Sequence, residues 1–380
     1  MKLTYDQRET ENRKVVDAMF RRFERTKAAS AFSRTRIAKT GAIDPLRVVN
    51  YRLSDDIFRR NAITPKGKSH GVLVFLDWSG SMEDIVEDSV NQVMMLADFC
   101  QKARIPFEVY LFSDSYTPRS TDYNSHDPMF VRRDGGFTCD SRLHLVNVLS
   151  SRASRRQHTL LKKALFEAAR ANAAHEYNSL RLGGTPLDSA ILASRDLIRK
   201  FQADNKVEIV NAVWITDGQG CREIQPPENK GLADRVEFVE GNIRVNSTTQ
   251  GYWSSNDAAL YRWCAATTGA NILGIFLTGK VRSPNAAAQI IYRHTKDSDV
   301  TESSQEFFNN GFIELKNTDN GYDRFFMLNP TRPKGDTSAT ISDDAGKIAY
   351  RNAMIREGKT RKAQTAMMEC VAESIARGRY

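Results

Sequence analysis

The 380-residue chain lacks the signatures of several common chemistries. Its five cysteines (Cys100, Cys139, Cys221, Cys264 and Cys370) are odd in number, far apart and never in a Cys-x-x-C pair. That spacing excludes a thiolate zinc motif and predicts reduced thiols rather than a disulfide framework. The six histidines are scattered, with no His-x-x-x-His or Glu-x-x-His pair to seat a zinc ion. No stretch approaches the roughly 18–20 apolar residues of a membrane helix. The leading segment MKLTYDQRETENRK carries no apolar run of the secretory-signal kind, so a cytoplasmic protein is expected. Gly67-Lys68-Ser69 has no upstream glycine at phosphate-loop spacing and precedes a strand-like run instead of following one. No nucleotide site is therefore expected in the chain itself, and ATP-driven work would fall to a partner. There is neither an internal repeat nor a low-complexity tract.

What is present begins with an ordinary globular composition, 41% hydrophobic and 27% charged, enough for a sizeable core. The net charge of +9 is concentrated: residues 1–60 hold 15 Lys and Arg against 8 Asp and Glu. The stretch from Lys347 to Arg379 is basic as well, and Arg152, Arg155 and Arg156 form a smaller group. Such segments fit nucleic-acid phosphates or, more plainly, solvated helical arms. Stacking aromatics are sparse among them, which favours the arms.

Apolar periodicity gives the framework. Val15, Val16, Met19, Phe20 and Phe23 fall at helical spacing within 6–32. Val72-Leu73-Val74-Phe75-Leu76 reads as a strand buried on both faces, the run 208–215 as a further clear strand, and 271–277 as another buried strand. Residues 107–112 form a further strand. Helices are predicted over 85–103, 141–178, 187–201, 258–268 and 284–294, with 344–377 as a last helix. Short strands are expected at 312–315 and 325–328. Residues 113–140 read as loop and 219–255 as a long polar insertion, while 219–255 and 295–340 are the expected surface segments. Apolar strands alternating with helices predict an α/β fold: a doubly wound, mainly parallel central sheet flanked by helices.

One constellation carries chemistry. Asp77, Ser79 and Ser81 stand at i, i+2 and i+4 just after a buried strand, where open α/β sheets place their ligands. Gly183-Gly184-Thr185-Pro186-Leu187 puts a hydroxyl before a helix, and Thr216-Asp217-Gly218 puts a carboxylate at another strand's carboxyl end. Two carboxylates and three hydroxyls make an oxygen-only set that suits Mg²⁺, with Mn²⁺ as a substitute, and suits zinc poorly. Taken singly, Asp77, Ser79 or Ser81 is equally a helix cap. Asp84 and Asp188 read as acids of a helix's first turn, and Trp78 either shapes the rim or packs. Ser79 or Ser81 as a nucleophile lacks both a Gly-x-Ser-x-Gly frame and a histidine placed to serve it, so no catalytic residue is expected.

The three motifs in this order, each in its strand context, resemble the complete metal-ion-dependent adhesion site of a von Willebrand factor A (vWA) domain over roughly residues 70–300. The resemblance implies the metal on the top face of the fold. Asp77, Ser79, Ser81 and Thr185 would hold it directly or through water, and Asp217 through water. A partner's carboxylate would complete the coordination. The lead-in from Ile43-Asp44-Pro45-Leu46 to Asp55-Asp56-Ile57-Phe58-Arg59 is similar to that of the vWA subunit of aerobic cobaltochelatase and its tailed-phage relatives. That similarity implies a cytoplasmic AAA+ ATPase of the cobaltochelatase or MoxR type, or its client, as partner. The long acidic stretch of chelatase subunits is absent. A metal-chelatase subunit and a nucleic-acid-associated or virion structural phage protein are the alternative readings. The expected organisation is a basic, largely helical extension (1–69), the vWA domain (70–330, with insertions near 113–180 and 219–255) and a helical segment (331–380).

Overall fold

A computed structural model describes residues 4–38, 42–49, 51–52, 61–63, 68–114, 130–131, 138–139, 143–176, 179–218, 220, 224–225, 233–250, 256–279, 281–329, 368–369 and 371–375. Its centre is a seven-stranded sheet. In chain order the strands are β1 (His70–Asp77), β2 (Phe107–Ser113), β3 (His144–Ser150), β4 (Ile209–Thr216), β5 (Asn271–Leu277), β6 (Phe312–Leu315) and β7 (Arg324–Leu328). Their spatial order is β6-β7-β5-β4-β1-β2-β3. The five inner strands are parallel, and the two edge strands β3 and β6 run antiparallel to their neighbours. This is the doubly wound α/β arrangement that the strand and helix alternation predicts. The order of connection reverses between β1 and β4, which leaves a crevice outside their carboxyl ends.

The β1 sequence explains why it lies at the centre. Side chains alternate across a strand, and both faces of β1 are apolar. Val72, Val74 and Leu76 face one layer, while Leu73 and Phe75 face the other. On the first face pack α2 (Val86–Ala103) and α3 (Arg155–Ala173), through Val90, Val93, Leu165 and Phe166. The second face carries α4 (Leu187–Asn205) and α5 (Asp257–Thr268), through Ile191, Ile198, Leu260 and Tyr261. Trp214 of β4 stacks on Phe75 with centroids 4.4 Å apart and meets Tyr261 edge-on. Beyond β5, α6 (Pro284–Tyr292) and α7 (Thr301–Asn310) close a third cluster around Phe307 and Met327.

The leading helix α1 (Tyr5–Arg34) is built into this core. Tyr5, Val16, Met19 and Phe23 are all buried, at one-face helical spacing, and Phe23 meets Phe99 of α2 edge-on at 5.3 Å. Polar contacts fix its register. Asn12 donates to Asn91 at 2.7 Å in a buried pair. Lys162 of α3, whose side chain is only 3% exposed, donates to Glu9 at 3.0 Å and to Asp98 of α2 at 2.8 Å, joining three helices at one ammonium. The short described helical stretches at 368–369 and 371–375 add Met368, Val371 and Ala372 to the same core, and Glu369 pairs with Arg22 of α1.

Three elements depart from the periodicity reading. Residues 141–178 are predicted as one helix, yet 144–150 form the edge strand β3, and α3 starts only after the Ser154 cap. An edge strand has one covered face and one partner, so its apolar signal is diluted: Val146 and Asn147 are exposed while Val148 and Leu149 are buried. The polar insertion 219–255 contains an antiparallel hairpin, Ala233–Glu240 with Ile243–Gln250, turned at Gly241-Asn242. Gly241 takes a positive φ of 55°, which a side-chain-free residue adopts without steric cost. Helix α7 was not anticipated inside 295–340. Of the helix predicted over 344–377, all but 368–369 and 371–375 lies outside the described residues, as does most of the loop 113–140. Among the described residues no helix is long and apolar enough to cross a membrane. Cys100 and Cys264 are free, buried thiols.

Candidate functional site

The site is built from three loops at the carboxyl ends of β1 and β4 and at the start of α4. Strand β1 ends at Asp77, and Trp78 N donates to Phe112 O at 2.9 Å, carrying the chain one step past the sheet. Ser79 is extended, and Gly80–Met82 then form a 3₁₀ turn. This reversal returns the Ser81 hydroxyl to within 3.0 Å of the Ser79 hydroxyl. Ser81 Oγ donates to Asp217 Oδ1 at 2.9 Å, bridging the β1 and β4 loops. Thr216, the last residue of β4, donates to Asp77 Oδ2 at 2.9 Å.

The third loop is stapled to the first. Gly80 N donates to Gly183 O at 2.8 Å, and Gly183 N to Trp78 O at 3.1 Å, a parallel bridge between Ser79 and Gly183. Trp78 Nε1 donates to Leu180 O at 2.9 Å. Trp78 is 2% exposed, so it packs beneath the loop and does not shape a rim. Thr185 follows in the half-buried stretch before α4, and its carbonyl accepts from Leu187 N. All five residues singled out in the sequence thus lie on loops that are mutually hydrogen-bonded. Four of them (Asp77, Ser79, Ser81 and Asp217) belong to side-chain networks tying β1 to β4. Thr185 is placed through the backbone of its loop. Asp84 is exposed, and Asp188 is buried in the first turn of α4.

The electrostatics are unusual for a strand end. The sequence suggests a set at the surface rim, but Asp77 is fully buried and Ser79 is 2% exposed. Ser81 alone is exposed, and Thr185 and Asp217 are half-buried. Asp77 Oδ1 is buried without a hydrogen-bond partner. Burial, reinforced by the charge of Asp217, pushes the Asp77 carboxyl up to about 7, against the pull of hydrogen bonds from Ser79 and Thr216. Burial also raises Asp217 above the usual carboxylate range. An unpaired buried carboxylate oxygen is costly. Among the described residues no lysine or arginine pairs with either carboxylate. The donor set therefore fits a hard divalent cation: oxygen only, two carboxylates, hydroxyls alongside, and one oxygen unmatched by any proton donor.

Two participants escaped the sequence reading. Thr216 was seen only as part of its tripeptide, yet it orients Asp77. Asp114, the residue after β2, accepts from Gly184 N and so touches the third loop from another strand. The only sequence signal for it was a carboxylate at the end of the strand beside β1.

No family model matches the chain, and no curated protein matches its sequence. Several solved structures share part of its course. The vWF domain of the type V pili tip protein Mfa5 from Porphyromonas gingivalis is 10% identical, covering 77% of this chain and 97% of that one, with a TM-score of 0.36. The open-conformation pilus adhesin SpaC from Lactobacillus rhamnosus GG is 14% identical over 56% of this chain and 24% of its own, with a TM-score of 0.31. Proximal thread matrix protein 1 from the mussel byssus is 12% identical over 59% of this chain and 41% of its own, with a TM-score of 0.29. The chain thus spans less than half the length of the last two. Likenesses of this size carry no argument about function.

Proposed function

We propose that the chain is a vWA-type module that binds a protein partner through a divalent cation, Mg²⁺ with Mn²⁺ as a substitute, held at Asp77, Ser79, Ser81, Thr185 and Asp217. The observation that carries this reading is the Asp77 carboxylate: buried, lacking a partner for Oδ1, and close enough to Asp217 to be raised by its charge, at the strand end where the sheet's connectivity reverses. Thr216 and Ser81 hydrogen-bond the two carboxylates, and Thr185 follows two residues after the Gly183 bridge to Ser79. A bound cation supplies an electrophilic coordination position that a Glu or Asp of the partner completes. From the lead-in sequence, that partner is a cytoplasmic AAA+ ATPase of the cobaltochelatase or MoxR type, or its client.

The test has two stages. Calorimetric titration with MgCl₂ and MnCl₂ is expected to give one site in the wild type and none in Asp77→Ala. Affinity capture from the native source is then run with Mg²⁺ and with EDTA. An AAA+ ATPase retained only with Mg²⁺, and lost with Asp77→Ala, is the expected result. Absence of cation binding, or partners indifferent to EDTA, would refute the proposal.

A further inference from the structure

Asp114 stands at the carboxyl end of β2, a strand that contributes none of the five oxygen donors. Its carboxylate lies against the Gly184 backbone. Oδ1 accepts the Gly184 amide proton. A Cβ built on Gly184 would come within 2.5 Å of Asp114 Oδ2 and 2.8 Å of its Cγ. A side chain at 184 would therefore require the Asp114 carboxylate to move. Gly183 is fixed from the other side by two backbone hydrogen bonds to the β1 loop. The 183–184 dipeptide is thus clamped between β1 and β2, and Thr185 is the next residue along.

We infer that Asp114 is a positioning residue of the cation site, acting through Gly184 to set where the Thr185 hydroxyl stands. The inference rests on the cation-binding reading above. Outer groups that orient a metal's ligands typically change affinity by about 10–100-fold when removed. Asp114→Ala leaves the five proposed donors intact and removes one of the two clamps on the loop that carries Thr185.

A double-mutant cycle on Mn²⁺ affinity, read calorimetrically, is the experiment. The wild type binds Mn²⁺; failure there refutes the cation reading itself, independently of Asp114. Asp114→Ala is expected to weaken binding roughly tenfold, the low end of that range. In a Thr185→Ala background it should add nothing, because the two changes break the same link. Asp114→Asn, which keeps an acceptor for the Gly184 amide, should restore most of the affinity. Gly184→Ala should weaken binding as Asp114→Ala does, by displacing the carboxylate. A second readout needs no cation: in EDTA, protection of the Gly184 amide from hydrogen exchange should be present in the wild type and lost in Asp114→Ala. If Asp114→Ala does not fold, Asp114→Glu, which shifts the carboxylate by one methylene, takes its place in the cycle. Wild-type affinity in the Asp114 variant, or losses that add fully to those of Thr185→Ala, would overturn the inference.

Discussion

Replacing Asp77 with asparagine removes a charge and almost nothing else, which makes it a sharp probe of the site. The Asp77 carboxyl is fully buried and held up to about 7, against 3.8 for the free group, by burial first and the Asp217 charge second. A carboxyl whose folded-state pKa lies above its unfolded value binds its proton more tightly when folded. Its contribution to stability is then complete below pH ~4 and declines as pH rises, until the folded form also ionises near pH 7. About three pH units at 1.36 kcal/mol each set the loss at about 4 kcal/mol at most. Asp77→Asn escapes this loss but leaves an amide incompletely bonded, at a cost of about 1–2 kcal/mol. In EDTA at pH 8 the variant should therefore be more stable than the wild type by about 2–3 kcal/mol. Near pH 4 the sign should reverse, because the wild-type carboxyl is protonated there. Mg²⁺ at about 100 times its dissociation constant should restore about 2.7 kcal/mol to the wild type at pH 8 and nothing to the variant. Urea unfolding at pH 4, 6 and 8, with EDTA or MgCl₂, measures all of these. A wild-type minus variant difference that does not change with pH would refute the view of Asp77 as a desolvated, uncompensated carboxylate.

Other consequences follow from the packing. Lys162→Ala should destabilise the protein by about 3 kcal/mol, because it leaves Glu9 and Asp98 facing each other without their ammonium; urea unfolding at neutral pH checks this. Phe23→Ala should cost about 3 kcal/mol by opening a cavity against Phe99, and hydrogen exchange should quicken along 5–34 before it does in the central strands. Glu240→Ala should free the 233–250 hairpin from Arg195 and Arg199 of α4. Its amides should exchange faster while cation affinity stays unchanged; a fall in affinity would mean that the hairpin supports the site.

Much of the site was legible because its donors sit within short, rigid spans. Asp77, Ser79 and Ser81 span five residues, and each of the three motifs adjoins an apolar run or a helix start strong enough to be seen alone. The doubly wound sheet was legible for a related reason: β1, β4 and β5 are buried on both faces, so burial writes continuous apolar runs into the sequence. Edge strand β3 escaped because half of it faces outward, and the hairpin escaped because its strands are polar on the outside. Its Gly-Asn turn is the one local signal of a hairpin there. Asp114 and Thr216 escaped for another reason: their roles depend on which strands are neighbours.

The sequence by itself determined the fold class, the place of Asp77, Ser79, Ser81 and Asp217 at or just past strand ends, and that of Thr185 before a helix, because local periodicity and short-range spacing encode these. Only the tertiary structure decided that Asp77 is buried and that its Oδ1 goes unmatched. It also decided that Trp78 packs beneath a loop, that α1 joins the core through Lys162, and that Asp114 grips the glycine before Thr185. Each of these joins residues far apart in the chain; Gly184 and Asp114 are separated by 70 positions. Desolvation and hydrogen-bond partnership belong to the assembled neighbourhood of a group, and no window of sequence contains that neighbourhood.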